Sequence, residues 1–243
     1  MTSDNSKVDT DRLSQIRTHW SAVVGTTPAE ECGSTEIQRE LLLRYAGPAY
    51  RYLLAMVRDP DVADDLSQEF AFRFIRGDFQ KASPERGRFR DYLKRALINL
   101  ANDHFRRLKK SPIVASVHSP HSQEPSYASK IEAMFDEDWR RELLCRTWTA
   151  MDAADVTSQT CYSVILKLRT QHPTHNSKSL AILAGEQLER EVTAAWLRQN
   201  LKRARDRFCE LMRVEVQNTL LFAGTEEVES ELQLLGLQKY SRV

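Results

Sequence analysis

Two consecutive helical patterns of opposite surface chemistry between Asp61 and Lys110 constrain this fold most. In the first, Val62, Leu66, Phe70 and Phe74 recur every four residues, which stacks them on one helix face. Asp59-Pro60 suits its start, as an N-cap followed by a proline in the first turn. Gly77 suits its end. The second, Arg88 to Lys110, carries Phe89, Leu93, Ala96, Leu97 and Leu100 on one side. A polar loop, residues 77–87, lies between them. Two apolar stripes with the helical period must be covered by other helices, so the pattern predicts an all-α fold.

The rest of the chain agrees, and no segment shows convincing β alternation. Ser14 to Val24 suits a short helix. Ile37, Leu41, Tyr45, Ala49, Tyr52 and Met56 recur at helical spacing, with a kink or break expected at Gly47-Pro48. The Arg88 helix should stop before Ser111-Pro112. Pro112, Pro120 and Pro125 among several serines read as a flexible tether. A second helical block is expected from near Phe135, with Leu143, Leu144 and Met151 as its first stripe. Tyr162, Ile165, Leu166 and Arg169 suggest a second helix, Ser179 to Leu188 a third, and Thr193 onward a long fourth. The expected division is an N-terminal extension (1–35), a helical domain (36–110), a linker (111–134), a second helical domain (135–217) and a tail (218–243). In the tail, Leu232, Leu234, Leu235 and Tyr240 form a helix-like array that would pack on the second domain or regulate access to it.

Composition limits function. The 243 residues fit one large domain or two small ones. A net charge of +1 excludes a uniformly basic coat, so any nucleic-acid role must rest on local patches. No apolar run approaches a membrane span, and Met1-Thr2-Ser3-Asp4-Asn5 lacks the order of a signal peptide, so a cytoplasmic location is expected. Cys32, Cys145, Cys161 and Cys209 form no CxxC pair, and Pro173 separates the nearby His172 and His175, which argues against a metal site. Asp64-Asp65 diverge by about 100° on a helix, poor geometry for shared acid–base chemistry. No catalytic or phosphate-loop motif appears.

Three surfaces remain. On the Asp61 helix, Asp65, Gln68, Glu69 and Phe72 fall opposite the buried stripe. An aromatic among acids suits a protein partner, although Asp61, Asp64 and Asp65 equally suit the positive end of the helix dipole. On the Arg88 helix, Lys94, Arg95, Ile98, Asn99, Asn102, Phe105 and Arg106 lie away from the stripe. Such groups neutralise phosphates and hold or stack unpaired bases. A solvated cationic face is the plainer alternative. Phe79, Gln80 and Lys81 in the preceding loop suit an unstacked base, or a simple connector. Residues 179 to 213 have the layout of a helix-turn-helix, with Thr193 as N-cap and Trp196, Leu197, Leu201, Ala204, Phe208 and Leu211 inward. Arg198, Gln199, Lys202 and Arg205 face outward, able to reach base edges and phosphates. An ordinary helical hairpin would look similar.

Taken together, Asp64-Asp65-Leu66-Ser67-Gln68-Glu69-Phe70, Phe89-Arg90-Asp91-Tyr92-Leu93 and Asn99 through Arg107 resemble region 2 of the sigma-70 family. Thr193 to Arg205 resembles the second helix of that family's region 4. The likeness is to the small two-domain ECF sigma factors of bacterial RNA polymerase, over about residues 36 to 217. Arg76-Gly77-Asp78-Phe79 with Pro84 to Arg90 is similar to one long-tailed ECF subgroup. The resemblance implies a non-enzymatic initiation factor without a cofactor. It implies core RNA polymerase as partner, through the β′ clamp helices and the β subunit, and promoter DNA. Asp64, Asp65, Gln68, Glu69 and Phe72 would dock on the clamp helices. The loop at Phe79, Gln80 and Lys81 would take a flipped base of the −10 element, and Arg95, Asn99, Asn102 and Arg106 would hold the opened strand. The helix capped by Thr193 would read the −35 element through Arg198, Gln199, Lys202 and Arg205, and the linker would thread near the RNA exit path. The resemblance leaves room for an anti-sigma factor or self-regulation by the tail. The alternative is a helix-turn-helix regulator acting on duplex DNA without polymerase.

Overall fold

The structure is a computed structural model that describes residues 42–43, 45–76, 89–110, 125–220 and 224–240. It is all helical, with no strand among the described residues. In chain order the helices are α1 (Ala46–Val57), α2 (Pro60–Ile75), α3 (Phe89–Lys110), α4 (Pro125–Ser158), α5 (Tyr162–Gln171), α6 (Ser177–Leu188), α7 (Ala194–Gln217) and α8 (Thr225–Leu234), followed by a 3-10 turn at Gln238–Tyr240. The segment expected to be helical from Ser14 to Val24 lies outside the described residues. The chain divides into two compact units between Trp139 and Arg140.

In the first unit the helical run is broken next to Gly47-Pro48, one of the two outcomes expected there. Residues 42–43 are helical, Tyr45 lies in a turn, and α1 begins at Ala46 with Gly47-Pro48 in its first turn. The first turn has no backbone acceptors for its N–H groups, so a proline there sacrifices little. The helix ends at Arg58, whose backbone is left-handed (φ 58°) and whose N–H bonds to Leu54 O. Asp59 then caps α2 by accepting from the N–H groups of Asp61 and Val62 at 2.9 and 3.2 Å, with Pro60 in the first turn. Leu66, Phe70 and Phe74 are buried as the periodicity predicts, and so are Leu93, Ala96, Leu97 and Leu100 of α3. Val62 is only half-buried.

The first unit has a further wall, whose residues the sequence reading divided between the linker (to 134) and the second domain (from 135). Residues 125–134 are part of α4, and Ile131, Phe135 and Trp139 are buried. Trp139 stacks on Tyr45 with ring centroids 3.6 Å apart, and Phe135 meets Tyr52 edge-on at 4.9 Å. Charges frame these rings. Arg51 donates to Asp138 at 2.7 Å, and Asp136 pairs with Arg90 and, at 3.1 Å, with Lys94. Burial, reinforced by the nearby carboxylates of Glu132 and Asp136, pushes the Tyr52 phenol up. Helices tolerate proline in the first turn, so Pro125 opens α4 instead of excluding it.

The second unit packs the remainder of α4 with α5 to α8. Its core contains Leu143, Met151, Ile165, Leu180, Leu197, Leu201, Phe208 and Met212. Cys161, the residue before α5, makes no capping bond with its own side chain. Asp155, near the end of α4, supplies the cap instead. Its carboxylate accepts from the N–H groups of Tyr162 (3.0 Å) and Ser163 (2.7 Å) and from the Thr160 hydroxyl. The C-terminal tail completes this core. Val228, Leu232, Leu235 and Leu237 are buried, Tyr240 lies against Phe208 at 5.6 Å, and Arg140 donates to Leu235 O at 2.6 Å. The tail thus packs on the second unit, one of the two roles the sequence left open for it.

Candidate nucleic-acid and partner interfaces

Helix α2 presents the acidic face. Asp65, Gln68 and Phe72 are exposed, while Asp64 and Glu69 are half-buried. Phe72 keeps 53% of its surface open, an unusual state for a phenylalanine in a helix whose other aromatics, Phe70 and Phe74, are buried. Glu69 is not simply solvated. It pairs with Arg73 one turn on, and Arg107 of α3 approaches it to 3.9 Å.

Helix α3 presents the basic face. Arg95, Asn99, Asn102 and Arg106 are all exposed. They form one column, because steps of four, three and four residues return to the same side of a helix. Arg106 is steadied by Asp103 at 2.6 Å. Lys94, expected on this face, instead turns to Asp136 and lies over the Phe135 ring at 5.5 Å. Ile98 and Phe105 are half-buried. His104, on the side of α3 opposite the column, has its pKa lowered by burial and by Arg107, against the upward pull of Asp59, Asp65 and Glu69. The loop residues Phe79, Gln80 and Lys81 lie outside the described residues.

In the second unit, α6 and α7 are joined by a tight turn at 189–193. Asn176 caps α6, accepting from Lys178 N at 3.0 Å and Ser179 N at 2.9 Å. Its last turn closes at Glu189, whose backbone is left-handed (φ 51°) and whose N–H reaches Gly185 O. A Cβ at Gly185 would stand 3.0 Å from Arg190 O, so a side chain there would make the turn give by a few tenths of an ångström. Thr193 then caps α7 by accepting from Trp196 N at 3.2 Å. Arg198, Gln199, Lys202 and Arg205 are all exposed on α7. Arg203, one turn beyond Gln199, adds a cation that the sequence reading passed over. Trp196 and Leu211, expected in the core, are half-buried. The Trp196 ring is covered from outside by the Arg190 guanidinium, 4.6 Å from its centroid.

The basic column and the acidic face share one segment of chain. Residues 41–111 match the family model of sigma-70 region 2. The match supports a sigma-70 family member, and with it a role in promoter recognition by RNA polymerase. It spans α1 to α3 and ends before α4, so Ile131, Phe135 and Trp139 close the region 2 core from beyond the matched segment. No curated protein and no solved structure matches the chain. Among the described residues, no helix is long and apolar enough to cross a membrane.

Proposed function

We propose that this chain is an ECF-type sigma factor of the long-tailed subgroup. It recruits core RNA polymerase to promoters and opens their −10 region, while the polymerase performs the chemistry. One observation carries the reading. The segment that matches sigma-70 region 2 also bears an acidic, aromatic outer face on α2 and a separate column of Arg and Asn on α3. In the proposed division of labour, Asp64, Asp65, Gln68, Glu69 and Phe72 meet the β′ clamp helices. Phe79, Gln80 and Lys81 with Arg95, Asn99, Asn102 and Arg106 hold the melted strand. The α6–turn–α7 element acts as a region 4 helix-turn-helix that reads −35 DNA through Arg198, Gln199, Lys202 and Arg205, anchored by the Thr193 cap. A regulator of duplex DNA alone has no use for the exposed Phe72 among carboxylates.

The test is co-purification with core polymerase. Asp65→Arg combined with Phe72→Ala should abolish it while circular dichroism stays that of the parent. A folded double variant that still co-purifies at parental strength would remove α2 from the interface.

A further inference from the structure

The acidic face of α2 and the basic helix α3 are in electrostatic contact through one residue. Glu69 belongs to the acidic face, yet it pairs with Arg73 on its own helix and faces Arg107 of α3 at 3.9 Å. Arg107 keeps 67% of its side chain exposed, so it is loosely held. It follows Arg106 directly, about 100° round the helix from the column of Arg95, Asn99, Asn102 and Arg106. A long, flexible arginine at that position reaches either Glu69 or a phosphate lying along the column, but not both. The acids of α2 are felt on α3 at a second point, since Asp65 and Glu69 also act on His104.

We propose that Glu69 is a positioning residue that couples the two surfaces: in the free chain it holds Arg107 toward α2, and a cationic partner group that engages Glu69 releases Arg107 to nucleic-acid phosphate. The inference rests on the reading of α3 as the strand-holding helix. An exposed pair of this kind biases its partner by no more than about five-fold, so it acts as a bias and not a lock. Linkage makes the effect reciprocal. A phosphate that draws Arg107 away leaves Glu69 freer for the protein partner by the same factor. Polymerase and DNA would then each favour the other's binding, using one carboxylate as the common point.

The experiment measures binding of the full chain to a short mixed-sequence single-stranded DNA across a salt series. It compares the parent, Glu69→Gln, Arg107→Ala and the double variant. Glutamine keeps the size and hydrogen-bonding groups of Glu69 but drops its charge. Glu69→Gln should tighten binding and steepen the slope of log affinity against log salt by up to about 0.7, the value for one further phosphate on a single strand. In the Arg107→Ala background the same change should leave the slope where it was. A merely structural Glu69 would weaken binding or leave the slope unmoved. Absence of salt-dependent binding by the parent would overturn the strand-holding role of α3 together with this coupling. Salt-dependent parental binding with an unchanged Glu69→Gln slope, or a steeper slope that survives Arg107→Ala, would overturn the coupling alone.

Discussion

At the scale of single residues, capping explains much of where the helices begin. Asp59 and Thr193 follow the expected chemistry of an oxygen acceptor ahead of an apolar stripe. Both start their helices as the sequence indicates. Asp155 does the same for α5 from another helix, a relation that no local pattern announces. Burial alone would raise its pKa, but the bonds from Thr160, Ser163 and Tyr162 outweigh it and the carboxyl is held below its usual value. The stability this provides is complete above the unfolded carboxylate pKa and is lost as pH falls through the lower folded value. Asp155→Ala should cost about 1 kcal/mol near neutral pH. In urea titrations the gap between parent and variant should close in acid, and a gap that does not vary with pH would contradict the assignment. The reading of α7 makes a second prediction at this scale. Loss of a bidentate base contact is worth roughly 1–3 kcal/mol at one position. Arg198→Ala should therefore alter the −35 preference recovered from a randomised promoter library. Lys202→Ala should lower output evenly across sequences, as expected for a phosphate contact. Return of the parental motif at full strength from both variants would assign α7 another role.

At the scale of elements, α2, α3, α5, α6 and α7 were legible because their apolar residues recur every three or four positions, and α2 and α7 also carry recognisable N-caps. Helix α4 was legible only from Phe135 onward. Its first ten residues follow a proline- and serine-rich stretch, and Pro125 reads as a breaker unless it falls in the first turn, where it does fall. The aromatic contacts of Trp139 with Tyr45 and of Phe135 with Tyr52 join residues far apart in sequence, and no periodicity encodes such pairs. The same holds for Lys94, whose outward position on α3 is right for solvent until α4 covers it. These contacts make the first part of α4 a wall of the first unit's core. Trp139→Ala should destabilise the first unit by roughly 3–5 kcal/mol, as for other large core aromatics. The loss should appear in hydrogen exchange of α1 and α3. Unchanged protection there would place Trp139 outside the working core. Likewise, truncation after Asn218 should expose Phe208 and Met212 and lower the melting temperature of the second unit, because α8 and the turn after it cover that end of the core. A truncated chain as stable as the parent would make the tail dispensable to the fold.

At the scale of the whole molecule, the proposed function is distributed over surfaces whose charges nearly cancel. The net charge of +1 hides an acidic face on α2, a basic column on α3 and a cationic stripe on α7. The all-α class was legible from periodicity. The divide between the two units falls inside one continuous helix, where no local pattern marks it. Of the candidate site, the exposed members on α2, α3 and α7 could be assigned by helical geometry alone. The internal pairing of Glu69 could not, since it depends on how α2 and α3 pack. The central claim, that this chain directs RNA polymerase to promoters, is tested most directly by reconstituted transcription with core polymerase on a library of genomic fragments. The account predicts discrete start sites that appear only when the chain is added, share motifs near −10 and −35, and disappear with Asp65→Arg/Phe72→Ala. A folded chain that binds DNA yet leaves the start sites of core polymerase unchanged would contradict it.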